Sequence, residues 1–125
     1  MPNKRLLVVE DEPDFRSYLQ AVAEQLGFRV ATVRGGREFM ESYPAFRPEV
    51  VVLDLLMPDL DGIEIIRWLC GQDSAAKVLV CSGAGGVCMR AAKALAEVKG
   101  QMQVQLLAKP VLRAKLCAAL LDGNA

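Results

Sequence analysis

The chain has 125 residues, 53% hydrophobic and 24% charged, which describes one globular domain with a sizeable core rather than a disordered segment. Fifteen Lys and Arg balance fifteen Asp and Glu, so the basic excess expected of a nucleic-acid binder is missing. There is no histidine, which excludes Ser-His-Asp and Cys-His triads and any His-ligated metal.

Leu6-Leu7-Val8-Val9 is a short, uniformly apolar run, as expected of a strand buried on both faces of a parallel sheet. Acids end it at Glu10, Asp11, Glu12 and Asp14. Asp11 or Asp14 is expected to cap the following helix, with Pro13 in its first turn. Phe15, Leu19, Val22 and Leu26 follow at helical spacing, and Gly27 supplies the stop. Phe28 to Val33 reads as a second strand. Gly35-Gly36 breaks it, and Phe39, Met40 and Tyr43 mark a short helix that Pro44 is expected to end. Val50 to Leu53 is a third strand, ending at Asp54.

Met57-Pro58-Asp59-Leu60-Asp61-Gly62 is turn chemistry. Ile63, Ile66 and Leu69 (or Cys70) give a third helix its apolar stripe. Val78 to Cys81 is a fourth strand, followed by Ser82 and the loop Gly83-Ala84-Gly85-Gly86. Val87, Ala91, Leu95 and Val98 line a fourth helix. Val104 to Ala108 is a fifth strand, ending at Lys109-Pro110, and Leu112, Leu116, Ala119 and Leu120 make a closing helix. Strands alternating with helices predict an α/β doubly wound parallel sheet, because parallel neighbours need helical crossovers. The chain reads as one domain over 1–125, either free-standing or the N-terminal part of a longer protein.

Four cysteines, Cys70, Cys81, Cys88 and Cys117, form no C-x-x-C pair; Cys81, in an apolar strand-like run, and Cys117, in a helix-like run, read as small buried hydrophobes. The N-terminus is no signal peptide, and no stretch has the length of a membrane span. The expectation is a cytoplasmic protein with no membrane contact and no direct nucleic-acid binding.

In an open parallel sheet, ligands bind outside the carboxyl ends of the strands. Glu10, Asp11, Asp54, Ser82 and Lys109 all fall there. Two carboxylates ~4 Å apart repel by roughly 4 kcal/mol at an effective dielectric near 20. A hard divalent cation relieves that repulsion, and an all-oxygen set suits Mg²⁺. A carboxylate beside Mg²⁺, a lysine and a hydroxyl is equipped to accept a phosphoryl group.

Val8-Val9-Glu10-Asp11-Glu12-Pro13, the run from Asp54 to Gly62, Ser82-Gly83 and Lys109-Pro110 together resemble the response-regulator receiver domain of two-component signalling. The resemblance covers nearly the whole chain. It implies a flavodoxin-like (βα)5 fold with strand order 2-1-3-4-5. It makes Asp54 the phosphoacceptor, fed from a partner's phosphohistidine. Glu10, Asp11 and Asp54, with the backbone carbonyl of Leu56, would hold Mg²⁺. Ser82 would be the hydroxyl that turns toward the phosphoryl group, Lys109 the lysine that pairs with it, and Pro110 a cis proline.

The implied partners are a sensor histidine kinase or a histidine phosphotransfer protein. An output domain or partner protein would meet the face of the fourth helix, fifth strand and closing helix, where Arg90, Lys93, Lys99, Arg113 and Lys115 cluster. The domain would not be an enzyme in the usual sense, since it acts on its own phosphoryl group.

The chain departs from the family pattern in places. Leu106 stands where many receivers carry an aromatic switch residue. Lys99-Gly100-Gln101-Met102-Gln103 replaces the acidic run of transcription-factor receivers, so an enzymatic output fits this stretch better than a DNA-binding one. Leu56 and Ala84 are apolar where a polar side chain could orient an attacking water. Two other readings are a nucleotide-binding α/β domain, prompted by Gly83-Ala84-Gly85-Gly86, and a pseudo-receiver that docks without being phosphorylated. The first lacks a phosphate-loop or dinucleotide fingerprint, and the second is at odds with five intact site residues.

Overall fold

The computed structural model describes residues 4–54, 62–72, 76–82 and 103–121, with only the backbone described at 62, 63 and 82. Five strands form one parallel sheet: β1 (Arg5–Val9), β2 (Arg29–Val33), β3 (Val50–Asp54), β4 (Lys77–Ser82) and β5 (Gln103–Ala108). Their spatial order is β2-β1-β3-β4-β5, the expected doubly wound arrangement. Four helices are described: α1 (Pro13–Gln25), α2 (Gly36–Phe46), α3 (Gly62–Cys70) and α4 (Arg113–Leu121). The helix expected between Val87 and Val98 lies outside the described residues.

Strand periodicity of two divides the core between the two faces of the sheet. Leu7, Val9, Val51, Leu53, Val78 and Val80 pack on one side with Phe39 of α2 and Ile65, Ile66 and Leu69 of α3. Leu6, Val8, Val50, Val52, Leu79 and Cys81 pack on the other with Leu19 and Val22 of α1 and Leu116, Ala119 and Leu120 of α4. Every residue of β3 is buried, which is why its sequence shows no polar alternation. The edge strands β2 and β5 are only partly covered and carry Arg29, Thr32, Gln103 and Gln105. Full burial of each Leu, Ile or Val contributes about 1.5–3 kcal/mol, so the two faces together supply the main driving force for folding.

α1 differs from expectation at its start. Its cap is Glu12, not Asp11 or Asp14: the Glu12 carboxylate accepts the Phe15 N–H at 2.6 Å, and Pro13 opens the helix. Because the helix begins at Pro13, Asp11 lies too far outside to cap it and Asp14 is already inside. At the other end the expected glycine stop is present. Gly27 has φ +95°, its N–H bonds Glu24 O at 3.0 Å, and the Phe28 N–H bonds Ala23 O at 3.1 Å, a Schellman closure. Phe28 is thereby used in the turn, and β2 starts at Arg29.

α2 runs through Pro44 to Phe46 instead of stopping there. In the last turn a proline forfeits one bond, from position 44 to the Met40 carbonyl. Packing of Met40, Tyr43 and Phe46 against the core retains the turn. The helix stops at Arg47, in the left-handed region with φ 52° and its N–H on Tyr43 O at 2.8 Å. Edge-to-face contacts of Trp68 with Phe39 (5.8 Å) and Tyr43 (5.4 Å) lock α2 to α3. In α3 the buried stripe is Ile65, Ile66 and Leu69. Leu112, expected in the core, precedes α4 and is 59% exposed.

Candidate functional site: the carboxyl edge of the sheet

Strand register brings the expected site residues to one edge. Val9 pairs with Leu53, so Glu10 and Asp54 leave neighbouring strands side by side. Asp54 pairs with Cys81, and Ser82 pairs with Ala108, the residue before Lys109. The backbone thus sets Glu10, Asp54, Ser82 and Lys109 along the end of four adjacent strands. Leu56 lies outside the described residues, as do Gly83 and Ala84.

The Lys109 ammonium donates to Asp54 Oδ2 at 2.7 Å, a charge-assisted hydrogen bond spanning 55 positions of sequence. Asp54 is buried. The Lys109–Pro110 peptide is cis, as the resemblance implied. Burial of the Lys109 ammonium opposes its charge. The hydrogen bond and charge of Asp54, helped by Glu10, outweigh this and raise its pKa above the ordinary lysine value. Lys109 is therefore cationic throughout the neutral range.

Glu10 is 1% exposed. Its Oε2 accepts the Glu12 N–H at 3.0 Å, while its Oε1 is buried with no hydrogen-bond partner among the described residues. Burial is the main cause that pushes the Glu10 carboxyl up from 4.5 to about 7; the Glu12 N–H opposes the rise, and the charges of Asp54 and Asp11 add to it. Asp11 is exposed at the mouth of the site, and its charge is felt by Glu10. Arg16 fixes the backbone of this turn, its guanidinium donating to Glu10 O at 2.9 Å and Asp11 O at 3.4 Å. Beside Asp54 on β4, burial and then the Asp54 charge push the Cys81 thiol up to about 12, so it is an inert core group, as expected.

Among the described residues, no three acidic or thiol side chains are drawn together tightly enough to form a metal cluster. Mg²⁺ does not require one, since it keeps several waters and is commonly held through one or two carboxylates. An orphaned buried carboxylate oxygen on Glu10, beside Asp11 and Asp54, is a hard oxygen-donor set of the type such an ion takes.

Phe15, which periodicity assigned to the helix stripe, and Tyr18, which the sequence reading did not single out, also belong to this site. The Phe15 ring lies 4.9 Å from Lys109 Nζ, and Tyr18 donates its hydroxyl to Val111 O at 2.9 Å. With Glu10, Glu12, Lys109, Pro110 and Val111 they line an open cavity of about 370 Å³. The available signal was position: the first turn of a helix that follows strand-end acids faces the carboxyl edge.

A parallel sheet with acids and one lysine gathered at its carboxyl edge defines the class of α/β signal receivers. The response regulator receiver domain family model matches residues 6–121, and the chain belongs to that family. Chemotaxis protein CheY of Thermotoga maritima is 36% identical over 83 residues, 66% of this chain and 69% of that protein. The alkaline phosphatase synthesis transcriptional regulatory protein PhoP of Bacillus subtilis is 39% identical over 70 residues, 56% of this chain but 29% of that longer protein. In structure, the chemotaxis protein CheY4 of Vibrio cholerae superposes with a TM-score of 0.82 at 21% identity, over 94% of this chain and 96% of that one. The chain is thus a receiver domain of two-component signalling. No helix among the described residues is long and apolar enough to cross a membrane.

Proposed function

We propose that Asp54 is the phosphoacceptor of a phosphorelay and that the domain is phosphorylated from the phosphohistidine of a sensor histidine kinase or histidine phosphotransfer protein. The observation that carries this reading is the 2.7 Å contact between Lys109 and a buried Asp54 at the carboxyl edge. An Asp54 carboxylate oxygen attacks phosphorus, the P–N bond to the donor imidazole breaks, and an acyl phosphate forms. Lys109 shifts its ammonium onto a phosphoryl oxygen, and Ser82 supplies a hydroxyl donor. Glu10, Asp11, Asp54 and the Leu56 carbonyl would hold Mg²⁺, whose chemistry there is to neutralise charge on the transferring oxygens. With no histidine of its own, the chain takes its phosphoryl group from another protein or domain.

The output is read by a partner or attached domain at a face that includes β5 and α4, with the bases Arg113 and Lys115. The fourth-helix part of the expected face, with Arg90, Lys93 and Lys99, lies outside the described residues. Leu106, partly buried against the core, cannot act as an aromatic switch. The described thiols Cys81 and Cys117 are not joined in disulfides, in keeping with a cytoplasmic site of action.

Labelling with acetyl phosphate tests the reading. Wild type should take one phosphoryl group, Asp54→Asn none, and removal of divalent cations should abolish the reaction. A wild type that takes no label would leave a docking module in place of a phosphoacceptor.

A further inference from the structure

Lys109 is held from two directions. Its ammonium donates to Asp54 Oδ2 at 2.7 Å and lies 4.9 Å from the centroid of the Phe15 ring. Phe15 is itself fixed in place. The Glu12 carboxylate accepts its backbone N–H at 2.6 Å, and its ring stacks on Tyr18 with centroids 6.2 Å apart and planes 19° from parallel. Tyr18 bonds to Val111 O at 2.9 Å, two residues beyond Lys109. The ring stack and the Lys109–cis-Pro110 segment are thereby tied into one unit across 93 positions of sequence.

A lysine ammonium on a four-carbon stem is mobile and strongly hydrated. The negative face of an aromatic ring attracts it without accepting its strong hydrogen bonds, so its donors remain available to oxygen. That property matters when Asp54 changes from a carboxylate to an acyl phosphate. The ammonium must then release the carboxylate oxygen and engage a phosphoryl oxygen without escaping into solvent.

We propose that Phe15 is a positioning residue for phosphoryl transfer, its ring face acting as the second anchor of the Lys109 ammonium. The role rests on Asp54 being the phosphoacceptor. It is distinct from packing: the charge distribution of the ring is required as well as its volume. Glu12 and Tyr18 serve it indirectly, by fixing where the ring sits.

Fluorinated phenylalanines at position 15 test this, because they preserve shape while removing the negative face. The rate of Asp54 labelling by acetyl phosphate should fall stepwise with fluorination, by about five-fold at full substitution, equivalent to about 1 kcal/mol. Phe15→Leu should lose as much, and Phe15→Trp should label at least as fast as wild type. In the unphosphorylated protein, the Lys109 Hε protons should show an upfield ring-current shift that Phe15→Leu abolishes. Labelling of the fully fluorinated protein at the wild-type rate, or a Lys109 shift unchanged in Phe15→Leu, overturns the proposal while leaving the phosphoacceptor reading intact. A wild type that takes no label overturns both.

Discussion

Lys109 Nζ sits 2.7 Å from Asp54 Oδ2, and the two residues come from strands that do not touch: β3 and β5 flank β4 in the sheet. The contact exists because Asp54 is the last residue of β3 while Lys109 lies just past β5, whose Ala108 is level with Ser82 of β4. A four-carbon stem spans the intervening strand. One cation thereby offsets the charge of a buried carboxylate, and the same cation is positioned to meet any further negative charge added to Asp54.

Lys109→Met should separate these two roles. It preserves most of the stem while removing the charge, leaving the Asp54 carboxylate buried without its ammonium. Lys109 is itself 32% exposed at the side chain, so the loss is moderated by solvent, and we expect destabilisation of about 2 kcal/mol in urea titrations without metal. Mg²⁺ should bind about ten-fold tighter to this variant by calorimetry, because a competing positive charge has gone; that ratio corresponds to about 1.4 kcal/mol. Labelling by acetyl phosphate should nevertheless slow sharply. A variant that labels at the wild-type rate would remove Lys109 from the chemistry.

The Glu10 carboxyl predicts a pH dependence of stability in the metal-free protein. Its pKa is raised from 4.5 to about 7, so between these values the folded state holds a proton that the unfolded state has released. Stability therefore falls as pH climbs through that window, by about 3 kcal/mol in all. No histidine is present to titrate in the same range, so the slope reports chiefly on Glu10. Urea titrations in chelator at pH 5 and pH 7.5 should show the loss, and Glu10→Gln should flatten it. Saturating Mg²⁺ should restore stability at pH 7.5 in wild type and restore less in Glu10→Gln.

The central strands were readable because burial on both faces leaves them uniformly apolar, as in Leu6 to Val9 and Val50 to Leu53, and because acids or a lysine stop them abruptly. Those stops also marked the candidate site, since ligands of an open parallel sheet bind at its carboxyl edge. Less was readable where long-range geometry decides. The α1 cap passed to Glu12 because the helix starts at Pro13, a detail that three neighbouring acids obscured. Pro44 was expected to end α2, but tertiary packing of Tyr43 and Phe46 carried the helix past it. Phe15 looked like any core-facing helical residue. Its contact with Lys109 depends on a strand 94 positions away, which helical spacing cannot report.

Removing the Glu12 side chain should be felt at both ends of this arrangement. Glu12→Ala leaves the Phe15 N–H without its 2.6 Å acceptor at the start of α1. Loss of a helix N-cap costs about 1 kcal/mol, visible as a lower urea midpoint. Glu12→Asp or Glu12→Ser should recover most of the stability, because both residue types cap well. Full wild-type stability in Glu12→Ala would show that the bond contributes nothing.

The acyl phosphate on Asp54 should be long-lived. Hydrolysis requires a water held in line with the phosphorus by a polar side chain, and the positions two after the acceptor and two after the hydroxyl are Leu56 and Ala84. Neither can donate to or accept from a water. Both lie outside the described residues, so the expectation rests on their chemistry. Loss of label followed after removal of acetyl phosphate should be slow, and replacing Leu56 with Asn or Ala84 with Glu should accelerate it by supplying an orienting group. A wild-type phosphate lost within seconds would mean that another residue holds the water, and neither substitution would then shorten its lifetime.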